Sequence, residues 1–502
     1  MNYRALLVAI ITFMLSDLSQ GKPLGPHLFC EANPDAPACS GSAIACKYCH
    51  TGQPPAFNAY GRCFQQSLLN NGQLFPADKD AMSAALSAFG AEDCDEDGMS
   101  NQDEIKFGSL PGDPLSIAAS DPCNNYTPGS TDQAHQVCAY DQDYVYRKVW
   151  IDFCGESPSF DEYQDFKKLG AAEKTQEIDN VLDKCLDSDH WLGKDGVVWE
   201  VGHYKIRPVG SVKLGEDEGL IPIVDYYADF NLFMWSQIDG NDAREQLLAD
   251  YTVTRSGGNG TPTQYTKQDP NRLLDGQVMQ VERRVGLLTT FWNLSFYLNY
   301  TAVARVLVAQ AFRAYTGMSM SKMQGLNPPP VEDSLYKDYD SKGMEKPECA
   351  VCHTTIDPLA YPFRNYNGLT GTSAVLQGQN ATGLSSVSNL GDEENLTPLS
   401  YSKPRLEFYE DVMPGISEMP EAGYIMGQRV ENLYEWAEVM ANSDQFAANT
   451  VRDYWKVLMG SDVKSYQEKE FKQLWQNFKT GHNYSVEAML RDLIRTEAYG
   501  VP

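Results

Sequence analysis

The chain has 502 residues, with 40 Lys and Arg against 68 Asp and Glu, a formal net charge of −28. That acid surplus excludes binding driven by nucleic-acid phosphates, which needs a basic face, and docking on anionic lipid. At 42% hydrophobic and 11% aromatic the chain can bury real cores, and at about 150 residues per domain its length fits roughly three domains.

The N-terminus reads as an export signal. Arg4 supplies a positive start, Ala5 to Leu15 is an apolar run, and Ser19 and Gly21 place small residues at the −3 and −1 positions of a cut before Lys22. The run is too short to span a bilayer, and no Cys follows the cut to carry a lipid anchor. The expectation is a signal peptide over 1–21 and a mature protein that is periplasmic or extracellular, of a secreted bacterial type, with no membrane span.

The 12 Cys divide into two groups. Four stand in two copies of one pattern, Cys46-Lys47-Tyr48-Cys49-His50 and Cys349-Ala350-Val351-Cys352-His353. This is C-x-x-C-H, the attachment site of c-type haem; the composition alone predicts on the order of 0.004 copies in such a chain. Two thiols at this spacing add to the haem vinyl groups, and the adjacent imidazole reaches the iron from one side. A redox C-x-x-C, a zinc half-site or one half of a disulfide framework is the competing reading, but neither motif has a partner C-x-x-C or His pair near it to complete a zinc site. Cys46, Cys49, Cys349 and Cys352 are therefore the expected attachment residues of two haem c groups, and His50 and His353 the expected iron ligands.

The other eight Cys lie between residues 30 and 185, as expected for four disulfides in an exported chain. Eight Cys allow 105 connectivities, and proximity along the chain points to 30–39, 63–94, 123–138 and 154–185. The N-terminal part is thus expected to be a small, stapled, loop-rich module.

Between the two haem motifs come further signals. Asn58-Ala59-Tyr60-Gly61 follows a Pro-containing turn after His50. Asp93-Cys94-Asp95-Glu96-Asp97-Gly98 with Glu104 six residues on matches a calcium loop. Asp93, Asp95 and Asp97 hold its first, third and fifth positions, the Met99 carbonyl the seventh, Asn101 the ninth and Glu104 the twelfth. Ala81 to Phe89 supplies a helix before it, while Gly108, Pro111 and Gly112 cut short a helix after it. The expectation is one structural Ca²⁺, against an acidic surface turn as the alternative.

From Tyr144 the pattern is helical. Ser159 to Glu162 forms a capping box, and Ile178, Val181, Leu182, Cys185 and Leu186 recur at helical spacing. Arg255 to Gln264, rich in Gly and Thr, reads as a linker or surface loop. Apolar periodicity resumes over 275–325, with Val285 to Phe312 reading as buried helix, and 368–403 reads as a loop. Three further helices are predicted at 431–442, 446–459 and 484–496, the last with Ser485 as its N-cap. The fold class is mainly α: helical cytochrome c-like domains with a small disulfide-rich N-terminal haem module carrying a calcium loop. The expected divisions are 22–140, 141–270 and 271–502.

Several of these segments resemble the planctomycete-type cytochrome family of multi-part exported proteins. Tyr146 to Pro158 is similar to its R-x-x-L-D-L-T-G-x-x-P helix start, Tyr226 to Asp250 to its Y-x-x-F-x-x-E-Q-L-A-G-D region, and Arg284 to Leu288 to its R-x-G-L-L block. The second haem segment, with Ile356-Asp357-Pro358-Leu359, resembles the family's C-x-x-C-H-x-x-I-D-P-L-G-F run, with Ala360 where Gly is usual. Ala448 to Gly460 resembles its terminal helix without the final Arg. The resemblance covers about two-thirds of the chain and implies helical haem domains with a redox role.

The sixth iron ligand decides between functions, because a Met or His there closes the haem for electron transfer and an open position permits ligand chemistry. Met82 is the first candidate for haem 1. Met413 and Met419, each followed by Pro, are equal candidates for haem 2. The spare His residues, 27, 135, 190, 203 and 482, read as surface or core residues. Three readings follow: an exported dihaem carrier relaying electrons between redox partners, basic ones suiting the chain's charge; a peroxidase-like dihaem oxidoreductase with one open haem; and a surface interaction protein whose haems are incidental. No catalytic residue is assigned.

Overall fold

The structure is a computed structural model that describes residues 25–39, 44–51, 56–116 without 74 and 77, 140–206, 227–268 without 259 and 260, 281–290, 293–294, 302–320, 347–366 and 409–501. It also describes a few positions between 329 and 341, and Leu406. The expected signal peptide, Cys123, Cys138, His135 and the 368–403 segment lie outside the described residues.

The fold is mainly helical, with two short antiparallel hairpins. The chain divides into two compact units. One takes Met1–Ala119, Tyr300–Asn365 and Ser402–Met440, and so contains both C-x-x-C-H motifs. The other takes Ser120–Asn299, Tyr366–Tyr401 and Ala441–Pro502.

In the first unit, the N-terminal stretch packs helices Gly25–Ala32, Ala59–Asn70, Lys79–Phe89 and Asn101–Phe107 around Phe29, Tyr48, Tyr60, Met82, Phe89 and Ile105. Disulfides Cys30–Cys39 and Cys63–Cys94 staple it, both as the sequence predicts. Each later helix is capped by a short polar residue. The side chains of Asn58, Asp78 and Ser100 accept from the N–H of Gly61, Ala81 and Asp103, satisfying donors that helix geometry leaves open.

The same unit holds the helices Arg305–Thr316, Pro347–Ala360 and Leu433–Ala441. Trp436 takes the rings of Phe312 and Phe363 edge-on, at centroid distances of 6.1 and 5.9 Å. A hairpin, Gly423–Ile425 with Gln428–Val430, turns through Met426 and Gly427, both at positive φ, as a two-residue turn of this twist requires. It closes on the end of the helix Pro347–Ala360: a Cβ at Gly423 would stand 2.6 Å from Pro362 and 2.7 Å from the Pro358 carbonyl.

In the second unit helices begin at Gln142, and the Ser159–Glu162 capping box and the Ser485 cap are both present. Disulfide Cys154–Cys185 ties its first helices, again the predicted pair. Its core gathers Phe153, Trp191, Trp199, Phe230 and Tyr454, and a buried Lys205–Asp453 pair spans 2.5 Å.

Three sequence expectations are corrected. Arg255 to Gln264 is no linker but part of a hairpin, Val253–Gly258 with Thr261–Lys267; Gly257 and Gly258 take positive φ at its turn, and the Thr residues are strand residues. Val285 to Phe312 is not one helix. Gly286–Thr289 is a 3-10 turn, and the helix that runs to Thr316 begins at Arg305. A helix absent from the sequence reading, Glu468–Thr480, buries Phe471, Leu474, Trp475 and Phe478 on one stripe. Among the described residues, no helix is long and apolar enough to cross a membrane.

Candidate functional site

The first C-x-x-C-H segment is held by one side chain. Asn58, 4% exposed, donates from Nδ2 to the Lys47 and Tyr48 carbonyls, both at 3.0 Å, while its Oδ1 accepts from the Gly61 N–H at 2.8 Å. It therefore fastens the first C-x-x-C-H loop to the start of the next helix in a single step. Gly61 completes the joint. A Cβ there would lie 2.0 Å from the Cys49 carbonyl oxygen, so the Asn-x-Tyr-Gly spacing lets the helix approach the loop closely. The Tyr48 hydroxyl donates to the Ser109 carbonyl at 3.0 Å, which ties the loop to the end of the Asn101–Phe107 helix.

His50 follows the loop, its ring stacked on Phe57 at 4.8 Å, and its Nδ1 stands 3.2 Å from the Ala56 carbonyl. With Nδ1 protonated and donating, Nε2 carries the lone pair that an iron ligand needs. Burial pushes the His50 pKa down, against the bond to Ala56, which favours the neutral ring that binds metal. Met82 is buried in the apolar cluster that also contains Tyr48 and Tyr60.

The second segment is helical. Cys349, Cys352 and His353 lie at i, i+3 and i+4 of the helix Pro347–Ala360, which sets all three on one face. Both thiols are outside any disulfide, and burial, then the neighbouring Cys349, pushes the Cys352 thiol up. His353 Nδ1 sits 3.2 Å from each oxygen of Asp357, one turn on. Asp357 is 2% exposed and takes a two-pronged clasp from Arg305: Nε at 2.5 Å and a terminal nitrogen at 2.6 Å. The other terminal nitrogen of Arg305 reaches Asp340 at 2.7 Å. Both imidazoles thus have Nδ1 occupied, His50 by a neutral carbonyl and His353 by a carboxylate.

Of the sixth-ligand candidates here, Met419 is fully buried and Met413 only half-buried. The segment carrying Met419 is tied to the neighbourhood of the second C-x-x-C-H helix: Arg364 donates to the Ser417 carbonyl at 2.8 Å, and Lys337 pairs with Glu418 at 3.0 Å.

The acidic loop is a turn built on Asp93. Its carboxylate accepts from the N–H groups of Glu96, Asp97 and Gly98, and Asp97 accepts from the Met99 N–H. Gly98, at φ +97°, makes the sharp turn. Asp93, Asp95 and Asp97 bring oxygens within 4.8 Å of one another. Glu104 is wholly buried; one of its oxygens accepts from the Ser109 hydroxyl at 3.1 Å and the other has no partner. Burial, then the charge of Asp95, pushes the Glu104 carboxyl up to about 7. Asn101 is spent on structure, its amide donating to the Phe89 carbonyl at 2.9 Å and to Cys94 Sγ.

No protein-family model, curated protein or solved structure matches this chain.

The sequence reading missed the support of both segments. Asn58 was visible only as part of a short motif, and the chain of partners behind His353, Asp357 then Arg305 then Asp340, comes from three separate stretches of chain.

Proposed function

We propose that this chain is an exported dihaem c-type cytochrome that relays electrons one at a time between redox partners, in keeping with its resemblance to the planctomycete-type cytochromes. The observation that carries the reading is the shared build of the two C-x-x-C-H segments: each imidazole has Nδ1 held by an acceptor, as metal-bound histidines do. In this reading Cys46 and Cys49 hold one haem and Cys349 and Cys352 the other, with His50 and His353 on the irons. Covalent haem supplies the electron-carrying iron; the chain's own residues fix ligand orientation and exclude water. Burial favours Met419 over Met413 as the sixth ligand of haem 2, and Met82 is the sixth ligand of haem 1. A basic redox protein suits the net charge of −28.

The acidic loop takes one Ca²⁺ in this reading, with Asp93, Asp95, Asp97, the Met99 carbonyl and Glu104 as ligands. The unpartnered buried oxygen of Glu104 supports it, because such a group is costly without a cation. The ion is structural, tying the loop to the helix Asn101–Phe107.

A peroxidase-like function is the second reading, favoured by the carboxylate behind His353, which strengthens an imidazole donor and suits chemistry at an open position. Optical and EPR spectra of the mature protein, oxidised and reduced, with and without CO, separate the two. Two low-spin haems silent to CO support the carrier; a high-spin haem that binds CO overturns it in favour of the second reading.

A further inference from the structure

Haem 2 is set apart by charge. Around His353, three carboxylates, Asp338, Asp340 and Asp357, bring oxygens within 4.8 Å of one another, and Arg305 is the guanidinium bonded to two of them. Asp340 is buried and keeps one oxygen without a partner. The cluster is therefore net negative, buried at Asp340 and Asp357, and in contact through Asp357 with Nδ1 of the haem-2 imidazole. At haem 1 the corresponding acceptor is the uncharged Ala56 carbonyl.

We infer that Asp357 is a positioning residue that sets the reduction potential of haem 2 through His353, and that Arg305 holds it in place while opposing its charge. The inference rests on the dihaem reading above. A carboxylate accepting from Nδ1 gives the imidazole anionic character, which stabilises the oxidised iron and lowers the potential. The clasp on both oxygens of Asp357 withdraws part of that charge. The two residues therefore act in opposite directions on one centre. A merely structural pair would not, since losing either partner would disturb the helix in the same sense.

The test is a spectroelectrochemical titration of the full-length matured protein in excess EDTA, so that no cation on the acidic cluster contributes. Asp357→Asn keeps the shape and removes the charge; Arg305→Met keeps the bulk and removes the guanidinium. The Cys349→Ser/Cys352→Ser variant identifies the haem-2 couple as the one that disappears. Asp357→Asn should raise the potential of that couple by ~59 mV, a tenfold fall in its oxidised-to-reduced ratio at fixed ambient potential for one electron. Arg305→Met should lower it, and the haem-1 couple should stay within twofold of wild type in both. Two haems per chain with the haem-2 couple unmoved, or moved the same way by both variants, overturns the inference and leaves the dihaem reading standing. A wild-type chain without covalent haem overturns both. If Asp357→Asn does not fold, Arg305→Met alone decides on the sign of its shift.

Discussion

Replacing Asn58 with Ala probes the joint that holds the first C-x-x-C-H segment. The substitution removes an N-cap, worth about 1 kcal/mol, and two donated bonds to backbone carbonyls, each worth about 1 kcal/mol net. Because the side chain is buried, water cannot easily replace it, so the expected loss is about 3 kcal/mol. Asn58→Asp separates the terms: it retains the acceptor for Gly61 and loses both donors, so it should keep the cap and lose the rest. The assay is urea unfolding of the full chain followed at haem and tryptophan signals, since the two units need not unfold together. A loss below about 0.5 kcal/mol for Asn58→Ala, or wild-type stability for Asn58→Asp, would refute the bonding argument.

Other expectations follow from single features of the fold. Gly61→Ala should block haem 1 while leaving haem 2, because its methyl would meet the Cys49 carbonyl; haem per chain, measured after denaturation, should fall from two towards one. Removing the Cys63–Cys94 bond as a double Ser variant releases a loop of 31 residues and should cost about 3.5 kcal/mol by chain entropy, read in the same urea titration. Chelating calcium should lower the melting temperature, with about 2.7 kcal/mol of stabilisation regained at a hundred times Kd. Glu104→Gln should abolish that calcium-dependent shift, and an unchanged shift would remove Glu104 from the site. Met419→Ala should make haem 2 bind CO, whereas Met413→Ala should not; CO difference spectra of the two variants check this.

The local chemistry of this fold was legible in the sequence; its long-range partnerships were not. Short-range pairing gave the Cys30–Cys39, Cys63–Cys94 and Cys154–Cys185 bonds, and residue type at fixed offsets gave the Ser159 and Ser485 caps. The Val253–Lys267 hairpin was lost because its paired glycines and threonines have the composition of a loop as much as of a strand turn. The Glu468–Thr480 helix carries its signal in the sequence, a stripe of Phe471, Leu474, Trp475 and Phe478 at helical spacing. In the candidate site, C-x-x-C-H named the thiols and imidazoles outright. What lies behind each imidazole was hidden, because Arg305 and Asp357 stand 52 residues apart and only folding places them together. The Asp357 partnership with His353 is one helical turn long, so the i, i+4 spacing could have pointed to it.

The most direct test of the central claim is the amount of haem that stays on the matured chain after denaturation, measured as the pyridine haemochrome against protein and as intact mass. The account requires two haems per chain, one lost with Cys349→Ser/Cys352→Ser and the other with the equivalent change at Cys46 and Cys49. A chain exported and folded, with its disulfides formed but carrying no covalent haem, would contradict it.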